Sequence, residues 1–271
     1  MDISESINCN YYNINKCEAY LSLKKNTLKK YFSEIENDQI FLKEITNQIN
    51  FIKNKYNYKK GIFRNKKISS IHEFSFLRLL IYSLIRHYKP RNILETGVYY
   101  GGNTIFILKA LKKNKKGKLV AIDLPDRQIK KFKSKVSGFR HPMVKETEKY
   151  AENLLPGFII PKKYKFNYEL ILGEATKEIK KQKLKFDFYI HDSDHSFKYL
   201  INELKATENK LKKKAFIVVD DIDWSNAFYS HVCKKQYYPI IFSDNGKDNL
   251  RSRIGMIYKS HPNNSKLSYT Y

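Results

Sequence analysis

The segment Asn92-Ile-Leu-Glu-Thr-Gly-Val-Tyr-Tyr-Gly-Gly-Asn-Thr104 reads as a strand, a tight turn and the start of a helix. Residues 92–95 form a short apolar run of buried-strand type, and Gly97 lets the backbone turn. Gly101 and Gly102 let a helix over 102–113 begin tight against it. Working outward, the same alternation repeats. Upstream, Phe74, Leu77, Leu80, Ile81, Leu84, Ile85 and Tyr88 fall at helical spacing until Pro90 ends the helix. Downstream, apolar runs recur at 119–123, 169–172, 186–191 and 216–220, and helices over 175–183, 196–213 and 224–235 follow the last three. In 196–213 the stripe Phe197, Leu200, Ile201, Leu204 and Leu211 predicts one buried face. Alternation of this kind predicts an α/β fold, a parallel sheet with helices on both faces. Two further runs, 238–242 and 254–258, flank a turn-like Ser-Asp-Asn-Gly and predict a terminal antiparallel hairpin.

Residues 1–69 carry two or three polar helices, roughly 14–36 and 38–57, with apolar residues enough for one packed stripe. They read as a helical N-terminal extension covering the main domain at 70–271, with a substrate lid or dimer arm as the sharper alternative. The segment at about 126–167 leaves the second strand's carboxyl end and is too long for an ordinary crossover, so it predicts a cap insertion. Its Arg127, Lys130, Lys131, Lys133, Lys135 and Arg140 suit an anionic substrate.

In an open parallel sheet, ligands bind beyond the carboxyl ends of the strands. A dinucleotide loop would need Gly-x-Gly-x-x-Gly, but Tyr99 fills the middle glycine position and Glu95 would repel a pyrophosphate. A cationic, phosphate-free nucleotide such as S-adenosylmethionine suits this loop better. Asp123, closing the second strand, can accept hydrogen bonds from both ribose hydroxyls. Leu172-Gly-Glu-Ala175 offers Glu174 and Ala175 to an adenine. The fourth and fifth strands end in His191-Asp-Ser-Asp-His195 and Val219-Asp-Asp-Ile-Asp-Trp224. Asp192, Asp220 and Asp221 then emerge on one rim, where crowded carboxylates repel unless a hard cation joins them: Mg²⁺, with Mn²⁺ or Ca²⁺ as substitutes. His195 stands where it could take a proton from a bound hydroxyl. Trp224 either walls a pocket or packs in the core.

These motifs resemble the class I S-adenosylmethionine-dependent methyltransferases over about residues 75–260. They are most similar to the metal-dependent O-methyltransferases related to catechol and macrolide-sugar O-methyltransferases. The resemblance implies a Rossmann-like, doubly wound sheet of order 3-2-1-4-5-7-6 with the last strand antiparallel. It implies that Glu95, Gly97, Asp123 and Glu174 hold the cofactor; Tyr99, Gly101, Asn103 and Ala175 belong to the same loops. It further implies that Asp192, Asp220 and Asp221 ligate the metal and that His195 is the general base, as in the sugar branch; the catechol branch has Lys there. His191 and Ser193 depart from the commoner Ile-Asp-Gly-Asp-His.

Composition narrows the partners. Lys and Arg number 52 against 27 acidic residues, a net charge of +25, yet only eight of those cations are Arg. Phosphate and base-edge recognition favour the planar fork of Arg over the point charge of Lys. The clusters at 112–118, 180–185 and 210–214 close crossover helices, which puts them on the rim opposite the cofactor. The expected acceptor is therefore a small molecule or glycan. An RNA-modifying methyltransferase, or a non-catalytic nucleic-acid-binding relative, is the less favoured alternative. Three cysteines without metal-ligand spacing and a start lacking a signal-peptide pattern predict a cytoplasmic, soluble protein. The oligomeric state stays open, a homodimer included.

Overall fold

The computed structural model describes residues 3–55, 70–124, 155–243 and 253–264. Seven strands form one sheet: β1 (Asn92–Thr96), β2 (Lys118–Asp123), β3 (Tyr168–Leu172), β4 (Phe186–His191), β5 (Leu211–Val219), β6 (Pro239–Ser243) and β7 (Arg253–Tyr258). Their order is β3-β2-β1-β4-β5-β7-β6. The first five run parallel, and β7 lies antiparallel to both β5 and β6. The expected topology is the observed one.

Period-two alternation sends successive residues to opposite faces. Ile93, Leu119, Phe188 and Phe216 stand level across β2-β1-β4-β5 and join one core with α4 (Phe76–Tyr88) and α5 (Gly102–Asn114). Leu94, Val120, Tyr189 and Ile217 point the other way, into a core with α6 (Ala175–Lys181), α7 (Phe197–Glu208) and α8 (Ala227–Lys235). Helices thus cover both faces. Truncating one of these fully buried aromatics to Ala costs about 3–5 kcal/mol.

Three N-terminal helices, α1 (Ile3–Tyr20), α2 (Lys29–Glu36) and α3 (Gln39–Lys55), extend the first core. The single helix expected over 14–36 is broken at 21–28. Buried Glu18 causes the break: its carboxylate accepts the backbone N–H groups of Asn26 (2.9 Å), Leu28 (2.6 Å) and Lys29 (3.0 Å). That caps α2 from ten residues away, while Ser22 and Asn26 take positive φ. Phe41 then packs edge-on against Phe106 at 5.3 Å, and Lys109 pairs with Asp38 at 2.6 Å.

Helix α1 lies along the outer edge of β6. Its side chains at 13, 16 and 20 supply donors to strand carbonyls: Asn13 Nδ2 to Ser243 (2.8 Å), Lys16 Nζ to Ile241 (2.7 Å) and Tyr20 OH to Tyr238 (2.5 Å). An edge that would otherwise present bare carbonyls is satisfied by one helical stripe.

Other departures from expectation are local. Helix α7 ends at Glu208, five residues early, because Leu211 already pairs with Phe186 as β5 begins. Lys212, Lys213 and Lys214 therefore lie in β5 rather than closing a helix, though on the same rim. Phe197, expected on the buried face, is 50% exposed. Residues 222–224 form a separate 3-10 turn before α8. Among the described residues no helix is long and apolar enough to cross a membrane.

Candidate active site

The carboxyl ends of β1, β2, β4 and β5 meet at one point of the rim. Gly97 has φ +83°, and a Cβ there would stand 2.0 Å from the Asp192 carbonyl oxygen. The exits of β1 and β4 are thus packed backbone to backbone, which only glycine permits. Asp192 N–H donates to the Thr96 carbonyl at 2.9 Å. Asp123 pins the intervening loop, Oδ2 accepting the N–H groups of Val98 (2.9 Å) and Tyr99 (2.6 Å), and Oδ1 that of Leu124 (2.7 Å). Burial raises its pKa against the pull of those amides. The backbone of 157–159 closes the other side: Gly157 N–H donates to the Tyr99 carbonyl and Ile159 N–H to that of Tyr100.

Glu95 lies fully buried beneath this loop. Its Oε2 accepts the Thr104 hydroxyl at 2.9 Å, while Oε1 has no hydrogen-bond partner. Burial, with Asp192 and Asp123 nearby, raises its pKa well above the carboxylate range. A buried carboxyl with an unspent oxygen fits a cationic ligand group.

The second half of the site is a polar chain. Asn103, at the start of α5, donates from Nδ2 to Asp192 Oδ2 at 2.7 Å and accepts at Oδ1 from Arg78 Nε at 3.2 Å. Arg78 also donates to the Tyr100 hydroxyl. Both ends of the Asn103 amide are thus spent on fixing Asp192. Burial raises Asp192 to a pKa of about 6, opposed by His191, Arg78 and the Asn103 hydrogen bond. His195 Nε2 lies between two carboxylates, 3.7 Å from Asp192 Oδ1 and 3.9 Å from Asp221 Oδ2. Burial and the neighbouring His191 lower His195 to about 3, so its ring is neutral at physiological pH. Asp221 holds φ +47°, sparsely populated for a non-glycine residue. Trp224 is 37% exposed with its ring 6.3 Å from that of His195, which puts it beside the site rather than in the core.

The remaining expected residues are placed as follows. Asp220 N–H donates to the His191 carbonyl at 3.0 Å, setting the β5 exit beside the β4 exit. Glu174 spends both carboxylate oxygens on α6, accepting Thr176 N–H and Lys177 N–H at 3.0 Å each, with Ala175 as the first helical residue. Gly101 precedes α5 at φ +99°, and Tyr99 sits at φ +48°. The basic cap residues from Arg127 to Arg140 lie outside the described residues. Among the described residues, no three acidic, imidazole or thiol side chains converge to hold a metal ion; as placed, the His195 ring stands between Asp192 and Asp221. The residues present therefore do not fit an ion in this arrangement. Arg78 was absent from the sequence-based site; its signal was a lone Arg inside the apolar run 74–85.

Residues 94–222 match the family described as methyltransferase domain. No curated protein matches the chain in sequence. Among solved structures, a candidate O-methyltransferase from Klebsiella pneumoniae is similar at 11% identity and TM-score 0.50, covering 83% of this chain and 91% of its own. The O-methyltransferase TomG from Streptomyces achromogenes, in complex with S-adenosylmethionine, is 13% identical over 90% of this chain and 96% of its own, TM-score 0.49. An O-methyltransferase from Bacillus cereus is 14% identical over 79% and 91%, TM-score 0.49. The matched stretch holds the loop after β1 and the exits of β4 and β5, the parts of the chain that build the site.

Proposed function

We propose that this methyltransferase transfers the methyl group of S-adenosylmethionine to a hydroxyl oxygen of a sugar or other small molecule, with His195 as general base. The observation that carries the reading is the position of His195, its Nε2 between Asp192 and Asp221, beside the loop that Gly97 brings against Asp192. The cofactor, when bound, supplies an electrophilic methyl on a sulfonium. Glu95, with its spare buried oxygen, would hold the cationic end of such a donor, and Asp123 would have to share its loop-pinning carboxylate with the ribose. As the acceptor oxygen attacks, His195 takes its proton, and the two flanking carboxylates stabilise the imidazolium that forms. Positioning of acceptor and donor in line supplies much of the rate.

The metal-dependent form of this reading needs Asp192, Asp220 and Asp221 to converge, with His195 swung out of the gap; no step above is routed through an ion. The far-side lysines and the scarcity of Arg speak for a small acceptor over RNA. The basic residues Arg127, Lys130 and Lys131 favour an anionic one.

The test is transfer of labelled methyl from S-adenosylmethionine into cell extract by wild type and His195→Gln, each with and without chelator. The reading requires label in a small-molecule or glycan fraction and a loss of at least about a hundredfold in His195→Gln, within the range general bases contribute. Label in RNA, or an unaffected variant, overturns it. Abolition by chelator selects the metal-dependent form.

A further inference from the structure

Beneath the site lies a second polar cluster that the proposed chemistry does not use. His191 is 0% exposed and Glu203, on α7, is 3% exposed. His191 Nδ1 and Glu203 Oε2 are 3.1 Å apart. The other oxygen, Oε1, accepts the Ser193 hydroxyl at 2.7 Å. Tyr189 OH donates to Oε2 at 3.2 Å and itself lies 3.1 Å from Thr96 Oγ1. Burial pushes the Glu203 carboxyl up, but His191 and the hydrogen bonds from His191 and Ser193 outweigh it, so the net shift is downward. Glu203 is thus an ionised acceptor, which fixes Nδ1 of His191 as the protonated nitrogen.

This arrangement is costly unless it does something. A carboxylate taken from water loses its hydration, and apolar replacement of a buried ion pair is often neutral or stabilising. His191 Nε2 is, moreover, buried without a hydrogen-bond partner. The ring it belongs to meets the His195 ring edge-on, centroids 5.5 Å apart and planes at 88°. The cluster also grips the segment 191–193 from both sides of Asp192: the side chains before and after it, His191 and Ser193, end on the one carboxylate. These are the two positions where the sequence departs from Ile-Asp-Gly-Asp-His.

We infer that Glu203 is a positioning residue that acts through His191 and Ser193 to hold Asp192 and the ring of His195 in working orientation. The inference rests on the reading of His195 as the base. Glu203 ties the β4 exit to helix α7. The His191 ring is the wall against which His195 stands, and Ser193 keeps the chain from rotating about Asp192. Site groups must be held within about 0.5 Å of productive geometry by packed and hydrogen-bonded neighbours, and a 1 Å misplacement can cost about a hundredfold in rate.

The experiment uses the full chain with ¹⁵N-labelled histidine. The His195 ring resonances are identified by their absence in His195→Gln, and the variants Glu203→Ala, Glu203→Gln and Ser193→Ala are compared. In Glu203→Ala the His195 resonances should shift or broaden. Labelled methyl transfer into cell extract should fall tenfold or more, while calorimetric affinity for S-adenosylmethionine stays within twofold. Glu203→Gln keeps an acceptor oxygen for Nδ1–H, while its amide N–H can donate to the Ser193 hydroxyl oxygen in place of the lost acceptor, and it should recover most of the transfer. Should Glu203→Ala not fold, Ser193→Ala, which removes one contact, should show the same resonance change and a smaller loss. Unchanged His195 resonances with unchanged transfer in folded Glu203→Ala or Ser193→Ala overturn the inference, as does a Glu203→Gln variant no better than Glu203→Ala. Transfer that survives in His195→Gln overturns instead the reading of His195 as base, and the resonance comparison stands apart from it.

Discussion

A methyl group at position 97 has nowhere to go. It would meet the Asp192 carbonyl oxygen at 2.0 Å and would sit at φ +83°, so Gly97→Ala must part the β1 and β4 exits or abandon the turn. Either displaces the loop amides of Val98 and Tyr99 from Asp123. Affinity for S-adenosylmethionine should fall at least about tenfold, equivalent to about 1.4 kcal/mol, as read by calorimetry; stability should also drop, by about 1–3 kcal/mol on the scale of strained backbone positions. At this scale the sequence was readable where one residue type has one physical use. Gly97 and the rim aspartates were legible because a turn and a row of strand ends leave few alternatives. Asn103 and Glu174 were harder, since an amide or carboxylate at a helix start has several uses. In the structure Asn103 braces Asp192 and Glu174 caps α6. Glu203 stayed hidden although it carried a signal: a carboxylate in register with Leu200 and Leu204 on the buried stripe of α7, where burial demands a partner.

Among elements, the break between α1 and α2 gives a separate test. Three backbone N–H groups converge on Glu18, and removing the carboxylate leaves them without acceptors in a part-buried turn. Glu18→Ala should cost about 1–3 kcal/mol, the range for an unsatisfied buried group and for a lost cap, measured by urea unfolding. Hydropathy could not show this break, because Leu21, Leu28 and Phe32 keep helical spacing across it. Strands were easier. Four of the five parallel strands start and end within one residue of their apolar runs. The exception, β5, opens with Leu211 and runs on through Lys212, Lys213 and Lys214. There, pairing to β4 overrides a composition that reads as a helix end.

For the molecule as a whole, Glu208 is one of several carboxyls held below their ordinary range that stabilise the fold against acid. Glu208, at the end of α7, receives Tyr237 OH at 2.6 Å and the Lys259 ammonium, with His231 Nε2 3.3 Å away, so it ties α7 to α8 and to the flanks of β6 and β7. Burial pushes its pKa up, but those partners prevail and hold it at about 2. A carboxyl whose folded pKa lies below its unfolded one contributes stability that is complete above the unfolded value and is lost as pH falls toward the folded one. Glu208→Gln should therefore lower the urea midpoint at pH 7, by on the order of 2 kcal/mol in free energy, and differ little from wild type near pH 2. Equal destabilisation at both pH values would rule out the charge as the cause. The helix laid along β6 has its own consequence. Shortening the chain to start after Tyr20 strips the donors from Ser243, Ile241 and Tyr238 and leaves a template on which a second molecule can add its own strand. Such a truncated protein should grow into sheet-to-sheet aggregates as its concentration rises, so whoever trims these residues to isolate the catalytic half will find it in the pellet.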